Sequence, residues 1–286
     1  MSDENLAEIR DEKARKIQHP KGKLTAYERL NLLLDEGSFS EIDQHVASDE
    51  NPEGEAVITG TGTIHGRPVF VFSEDFSVMG GSLGEVVAKK ILKIMDHALE
   101  ARAPIIGIKD SGGARIQEGI SSLFGYAQIF KKNVEASGKV PQISVVVGPS
   151  AGGAVYSPAL TDFIFQVKDI GQLYVTGPAV VKTVTGEDVT FEELGGVEAH
   201  GTKSGVTHQV CETEEQAFEE IRYLMSFLPQ SSSQKPPMFI TEDEPSRVIE
   251  SLDSFIPENR NQPYDMEKII LDIVDDGEHY PIQSNY

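Results

Sequence analysis

The 286-residue chain is 39% apolar and carries a formal charge of −21, which leaves ample material for the core of one large domain or two small ones. A surplus of acids this large excludes a general nucleic-acid-binding surface, since that interaction depends on Lys and Arg neutralising phosphates. No apolar run approaches the roughly 20 residues of a membrane-spanning helix, and the opening MSDENLAEIRDEK has no apolar signal-peptide core, so a cytoplasmic protein with no membrane partner is expected.

Cys211 stands alone, so an internal disulfide and a cysteine zinc ribbon are excluded, and no spacing of His with carboxylates reads as a metal site. No metal is expected.

In chain order, 3–18 and 25–35 read as helices broken at His19-Pro20-Lys21-Gly22, giving an N-terminal helical arm over 1–35. Its basic residues, Arg10, Lys13, Arg15, Lys16, Lys21, Lys23 and Arg29, form either a solvated helix face and loop or a cradle for the phosphates of a nucleotide-bearing ligand. Two β-like runs, 56–63 and 68–72, flank His65-Gly66-Arg67 and predict a hairpin. A helix over 83–101 leads to an apolar strand at 105–108, a glycine loop and a helix over 118–136. The order then repeats, with a strand at 142–147 and a second glycine loop at 148–154 that opens a helix running through Val155 toward Leu160. Strand-like runs at 163–167 and 173–175 follow.

Nearly continuous apolar strands alternating with helices predict an α/β core over 36–230, its sheet buried on both faces. From Ser231 the composition turns polar and proline-rich, so 231–286 reads as a linker and acidic C-terminal segment with a short helix at 265–275.

The chemistry lies in the two loops. In Asp110-Ser111-Gly112-Gly113-Ala114-Arg115 the missing side chains let backbone amides approach a ligand. Gly152 and Gly153 fall at or near the first turn of a helix, where free amides and the positive dipole end converge. Such amides accept a phosphate or stabilise an oxyanion, and neither loop matches the GxxxxGK[ST] or GxGxxG phosphate patterns. Ser150 does not sit in GxSxG, and no His joins an Asp and a Ser in a recognisable series, so a triad hydrolase is disfavoured. Ser111 and Ser150 read as turn or cap hydroxyls. For Asp110 and Glu118 a capping or ion-pair role is preferred over that of a general base.

Asp-Ser-Gly-Gly-Ala-Arg-Ile-Gln-Glu-Gly at 110–119 and Gly-Pro-Ser-Ala-Gly-Gly-Ala-Val-Tyr-Ser-Pro-Ala at 148–159 resemble the paired signatures of biotin-dependent acyl-CoA carboxyltransferases of the propionyl-CoA carboxylase β type. Supporting segments are 21–26, 74–84, 175–178 and 261–265. The resemblance implies an α/β, crotonase-like superhelix of β-β-α units, with the N-terminal helical arm in front of it. It also implies an enzyme that moves a carboxyl group from biotin, held on a separate carrier protein, to the α-carbon of a short-chain acyl-CoA, without a side-chain base. Carried over by motif, Gly152 and Gly153 are the oxyanion amides. Gly112, Gly113, Ala114, Arg115 and Ala151 line the acyl-CoA path, with Arg115 either touching a CoA phosphate or pairing with Glu118. Family members continue into a second, related domain, so the resemblance makes this chain the acyl-CoA half of a site. The implied partners are that C-terminal carboxyltransferase half, a biotin carboxyl carrier protein, biotin carboxylase and further copies of the chain. A biotin-dependent acyl-CoA decarboxylase subunit, a crotonase-type hydratase and a noncatalytic CoA-binding or assembly module are the alternatives.

Overall fold

The computed structural model describes residues 3–259 and 261–286. Helix α1 (Asp3–Gln18) and helix α2 (Ala26–Leu33) form the arm. Thr25 starts α2 with a capping box, its hydroxyl accepting the Glu28 N–H while the Glu28 carboxylate accepts the Thr25 N–H. Strand β1 (Ser40–Ile42) then pairs with the hairpin β2 (Val57–Ile64) and β3 (Arg67–Glu74). His65 and Gly66 both take positive φ, 52° and 71°, which matches the strand twist a two-residue turn needs.

Helix α3 (Glu85–Ala101), strand β4 (Ile105–Ser111), helix α4 (Ile120–Ala136), strand β5 (Gln142–Ala151) and helix α5 (Gly153–Ala159) make the repeated unit. After them come β6 (Phe163–Val167), β7 (Gln172–Tyr174), α6 (Pro178–Thr185), α7 (Phe191–Gly195), β8 (Gln209–Cys211) and α8 (Glu214–Phe227). The strands order as β1-β2-β3-β4-β5-β6-β8, with β7 also on β5. Pairing is antiparallel through β3 and parallel from there on, as expected where helices cover both faces.

On one face Val87, Ile91, Ile94 and Met95 of α3 and Tyr126 and Ile129 of α4 pack with Phe72 and Ile105. On the other, α2 and α8 lie together against the sheet. Alternate residues of β4 therefore face opposite helix layers.

The chain divides into two compact units, one running to Pro236 and including Gln283–Tyr286, the other Pro237–Ile282. The second holds helix α9 (Met266–Ile273), whose first turn is capped by Asp265 accepting the Glu267 N–H at 3.0 Å.

Several elements differ from the sequence expectation. Strand β4 continues to Ser111 and β5 to Ala151, so each glycine segment begins as buried strand and turns only at its second half. Helix α4 starts at Ile120, because Gly119 at φ 55° breaks the chain before it, whereas α5 opens at Gly153, where a first helical turn was expected. Strands β1 and β8 and helices α6, α7 and α8 had no sequence assignment.

Candidate functional site

The two glycine loops end neighbouring parallel strands and touch. A Cβ on Gly113, whose φ is 103°, would lie 2.7 Å from the carbonyl oxygen of Ala151, so only glycine lets the first loop close on the second.

The first loop is zipped to 80–83 on its other side. Gly112 N–H donates to Gly80 O and Leu83 N–H to Gly113 O, both at 2.9 Å, and Arg115 N–H to Leu83 O at 2.9 Å. Ser111 Oγ donates to Gly81 O at 2.6 Å and accepts the Gly113 N–H at 3.1 Å, a turn role as expected. In the parallel bridge between Leu83 and Ala114, the N–H of Ala114 itself lies on the edge away from Leu83.

In the second loop Gly152, at φ 57° and ψ −120°, makes the turn into α5. Its own N–H donates to Tyr174 O at 3.1 Å, so that amide is committed to β7. Gly153 is the first residue of α5, where helix geometry leaves amides without intrahelical acceptors. It is packed on Tyr126, since a Cβ there would lie 2.6 to 2.9 Å from three ring carbons. The Tyr126 hydroxyl is buried beside Ser111, and burial first, then the nearby Glu74 carboxylate, pushes its pKa upward. Ser150 is no turn hydroxyl. It lies within β5, and its buried Oγ is unpartnered.

The flanking charges are structural. Arg115 is 1% exposed and donates to Glu118 Oε1 and Glu55 Oε2, each at 2.9 Å. Of the two roles open to it, the ion pair is the one observed, and Glu55 doubles it. Glu118 also accepts the Glu85 N–H at 2.6 Å, capping α3.

Asp110, fully buried, receives Lys23 Nζ at 2.6 Å, Arg29 at 2.9 Å and Gln18 Nε2 at 3.1 Å. On the opposite face of β4, Glu74 accepts the Asp110 N–H at 2.9 Å and stands 3.4 Å from Lys109. Burial raises the Glu74 carboxyl and lowers the Lys109 ammonium.

The basic residues of the arm divide: Lys13, Arg15, Lys16 and Lys21 are exposed, the solvated face expected, whereas Arg10, Lys23 and Arg29 are buried among carboxylates. Besides Lys23 and Arg29, Arg10 donates to Glu55 O at 2.9 Å, Lys13 pairs with Glu53, and Arg15 pairs with Asp11 at 2.7 Å and Glu28 at 3.0 Å. A cleft of about 660 Å³ beside Arg10, Lys13 and Lys16 is also lined by Glu50, Glu53 and Asp75. It does not include the glycine loops.

Residues 17–286 match the model of the carboxyl transferase domain. The chain belongs to that family. Among similar carboxyltransferase proteins, the propionyl-CoA carboxylase beta chain of Roseobacter denitrificans is 54% identical over 277 residues, 94% of this chain and 54% of the relative. The methylmalonyl-CoA decarboxylase subunit alpha of Veillonella parvula is 52% identical over 294 residues, 99% of this chain and 58% of the relative. The chain thus spans about half the length of the curated relatives it matches. A transcarboxylase 12S crystal structure, described as a hexamer with methylmalonyl-coenzyme A and methylmalonic acid bound, superimposes with a TM-score of 0.93 at 43% identity, over 99% of this chain and 58% of that one. The α/β, crotonase-like class expected for a carboxyltransferase domain is the class observed.

Among the described residues no helix is long and apolar enough to cross a membrane, and no group of three or more His, Cys, Asp or Glu could hold a metal ion. Glu74, Lys109 and Tyr126, which support the loops, were missed in the sequence, and Arg29 was read only as one of the basic residues of the arm. Their signal is purely three-dimensional, since they come from β3, β4, α4 and the arm.

Proposed function

We propose that this carboxyl transferase domain is the acyl-CoA half of a biotin-dependent acyl-CoA carboxyltransferase, acting in the cytoplasm on a short-chain substrate of the propionyl-CoA or methylmalonyl-CoA type. One observation carries the reading: two glycine loops in contact at the ends of adjacent strands, with a helix opening at Gly153. Carboxybiotin on a separate carrier protein supplies the carboxyl group, and the chain's own residues hold the thioester.

The amide pair we assign is Gly153 N–H with Ala114 N–H, one from each loop. Gly152 supplies the turn between them and β5. Both donors are fixed before the substrate arrives, so negative charge developing on the thioester oxygen meets dipoles that need no reorganisation. Gly112, Gly113 and Ala151 line the path because little but backbone is present there. Arg115 holds the first loop through Glu55 and Glu118 rather than a phosphate.

Asp110 and Glu118 are both engaged in ion pairs, which leaves no free carboxylate in the loops to add water to an enoyl thioester. The hydratase reading loses its support on that ground. Decarboxylation, the direction named for the Veillonella relative, uses the same enolate and is the second reading.

Partners in this reading are the C-terminal carboxyltransferase half, the biotin carrier, biotin carboxylase and further copies of the chain. Beside the first loop Ile116 is 88% and Ile120 82% exposed, with Leu123 and Phe124 on the next turn, an apolar patch of the kind that marks interfaces.

The test is carboxyl transfer to a panel of acyl-CoAs, with the chain, the biotin carrier and the C-terminal half, in both directions. Turnover only from a malonyl- or methylmalonyl-type thioester toward biotin selects the decarboxylase. Acyl-CoA binding with no transfer in either direction selects the noncatalytic module and defeats the proposal.

A further inference from the structure

The parallel ladder between β4 and β5 breaks where the two loops separate. Lys109 pairs with Val146, but the next pair is Ser111 with Ser150, so the single residue Asp110 faces three residues, 147–149. A bulge of this kind costs ladder hydrogen bonds and re-aims the chain beyond it. Here the gap is filled by charge. The Val147 carbonyl, which has left the ladder, accepts Arg29 Nη2 at 3.3 Å. Position 148 is glycine where the Asp110 carboxylate comes in, because a Cβ there would collide with Asp110 Oδ1 and approach Lys23 Nζ at 2.6 Å.

Arg29 is fully buried. Its Nη1 holds Asp110 at 2.9 Å and its Nε holds Glu214 of α8 at 2.5 Å. Burial works against the Arg29 cation, and the Asp110 and Glu214 carboxylates outweigh it, so its pKa is raised. Lys23 forks across both Asp110 oxygens, at 2.7 and 2.6 Å. One carboxylate thus ties the arm, the end of β4, the end of β5 and, through Arg29, helix α8.

We propose that Asp110 is a positioning residue that sets the spacing of the two glycine loops, and so the separation of one amide donor from the other, by wedging the β4–β5 break open on Arg29 and Lys23. This deepens the proposed function, because the loops are taken as the acyl-CoA site. Asp110 touches no reacting atom. It acts through the strand ends, so its removal disturbs the second loop, whose backbone begins on another strand 38 residues later, as much as its own.

Hydrogen exchange on the full chain reads this without any turnover. Asp110→Asn keeps the side-chain shape and leaves two buried cations facing a neutral amide. Lys23→Met is milder, since Arg29 and Gln18 still hold the carboxylate, and it carries the test if Asp110→Asn does not fold. Peptides covering 111–117 and 148–156 are expected to exchange roughly tenfold faster or more, while those of the β2–β3 hairpin and the second half of α4 keep wild-type rates. Faster exchange confined to the arm, or uniform over the chain, overturns the proposal, as does no change in the 148–156 peptides. In the reconstituted transfer assay, Asp110→Asn should lower kcat about 10²-fold per folded molecule, the effect of an ångström-scale misplacement, with the shape of the pH profile kept. A loss matching only the unfolded fraction also overturns it. If the wild type shows no transfer, the proposed function falls, and the exchange result still decides the role of Asp110.

Discussion

Gly153→Ala puts one methyl group against the face of Tyr126. The added carbon would lie 2.6, 2.8 and 2.9 Å from three ring carbons, against an optimum of about 3.5–4.0 Å between carbons, so the ring or the start of α5 must move by about 1 Å. Tyr126 is 4% exposed and packs among Leu83, Ala88, Ile129 and Ala154, which leaves the helix start as the easier part to shift. Overpacking of this kind costs about 1–3 kcal/mol, or about 2–4 °C of Tm per kcal/mol in a chain of this size. The catalytic loss is larger. A donor displaced by about 1 Å forfeits most of its stabilisation of the oxyanion, about 10²–10³ in rate. The assay pairs thermal unfolding with carboxyl transfer in the reconstituted enzyme, for Gly153→Ala, Tyr126→Leu and the double variant. Relief of the collision by the smaller side chain should make the double variant more stable and more active than the two single effects predict. Additive losses would refute the ring contact as the cause, and unchanged turnover in Gly153→Ala would remove that amide from the site.

Glu118→Gln should cost about 1–2 kcal/mol through the Arg115 pair and the α3 cap, and less than the 10²-fold rate loss of a general acid–base residue; parallel denaturant melts and rate measurements separate the two. The Lys90 ammonium, 1% exposed and donating to Val57 O at 3.1 Å, is lowered to about 8 by burial and then by Arg10. Between about pH 8 and its ordinary 10.5 the unfolded chain binds the extra proton, so stability should rise with pH by up to about 1.4 kcal/mol per unit. Urea titrations at pH 8 and 9 should show that slope, and Lys90→Met should flatten it. The Cys211 thiol is pushed up to about 12 by burial and then by Glu220. It should resist a maleimide at pH 8 in the native protein and react once urea unfolds the chain, and its contribution to stability should fade from about pH 9 to 12.

How far the fold could be read depended on whether the signal was local. The hairpin turn at His65-Gly66, the 3.6-residue spacing of α3 and the apolar runs of β4 and β5 each declare themselves within a few residues. Helix α8 was hidden because its opening Glu214-Glu215-Gln216 is polar and its buried face, Ala217, Phe218, Ile221, Leu224 and Met225, follows a region of mixed composition. Strands β1 and β8 are three residues each, too short for periodicity to mark. The glycines of the site were legible because missing side chains are visible in sequence. The extension of β4 and β5 into the motifs was not, since Ser111 and Ser150 read as turn or cap hydroxyls and Asp110 as a capping or ion-pair residue. The burial of Asp110 depends on partners 36 to 92 residues away, from Glu74 to Gln18. The Gly152 amide's commitment to Tyr174 likewise depends on β7 returning beside β5.

The same arrangement explains why the chain carries so much charge close to loops that use none. Arg29, Lys23, Asp110 and Glu214 lie under one face of the strand ends and Glu74 with Lys109 under the other, each charge offset by a neighbour. A buried pair of this sort contributes little net stability compared with a well-packed apolar core, but losing one partner is costly, so the pairs fix geometry. Backbone amides are weak donors unless they are held still and kept from water. The clamp below supplies the first condition, and the exposed apolar residues around Ile116 and Ile120 offer the second once a partner surface covers them. In the proposed reaction, a charged side chain presented to the thioester would bind its ground state as readily as its enolate. Backbone dipoles aimed at one oxygen favour the enolate, because the gain appears only as the charge develops.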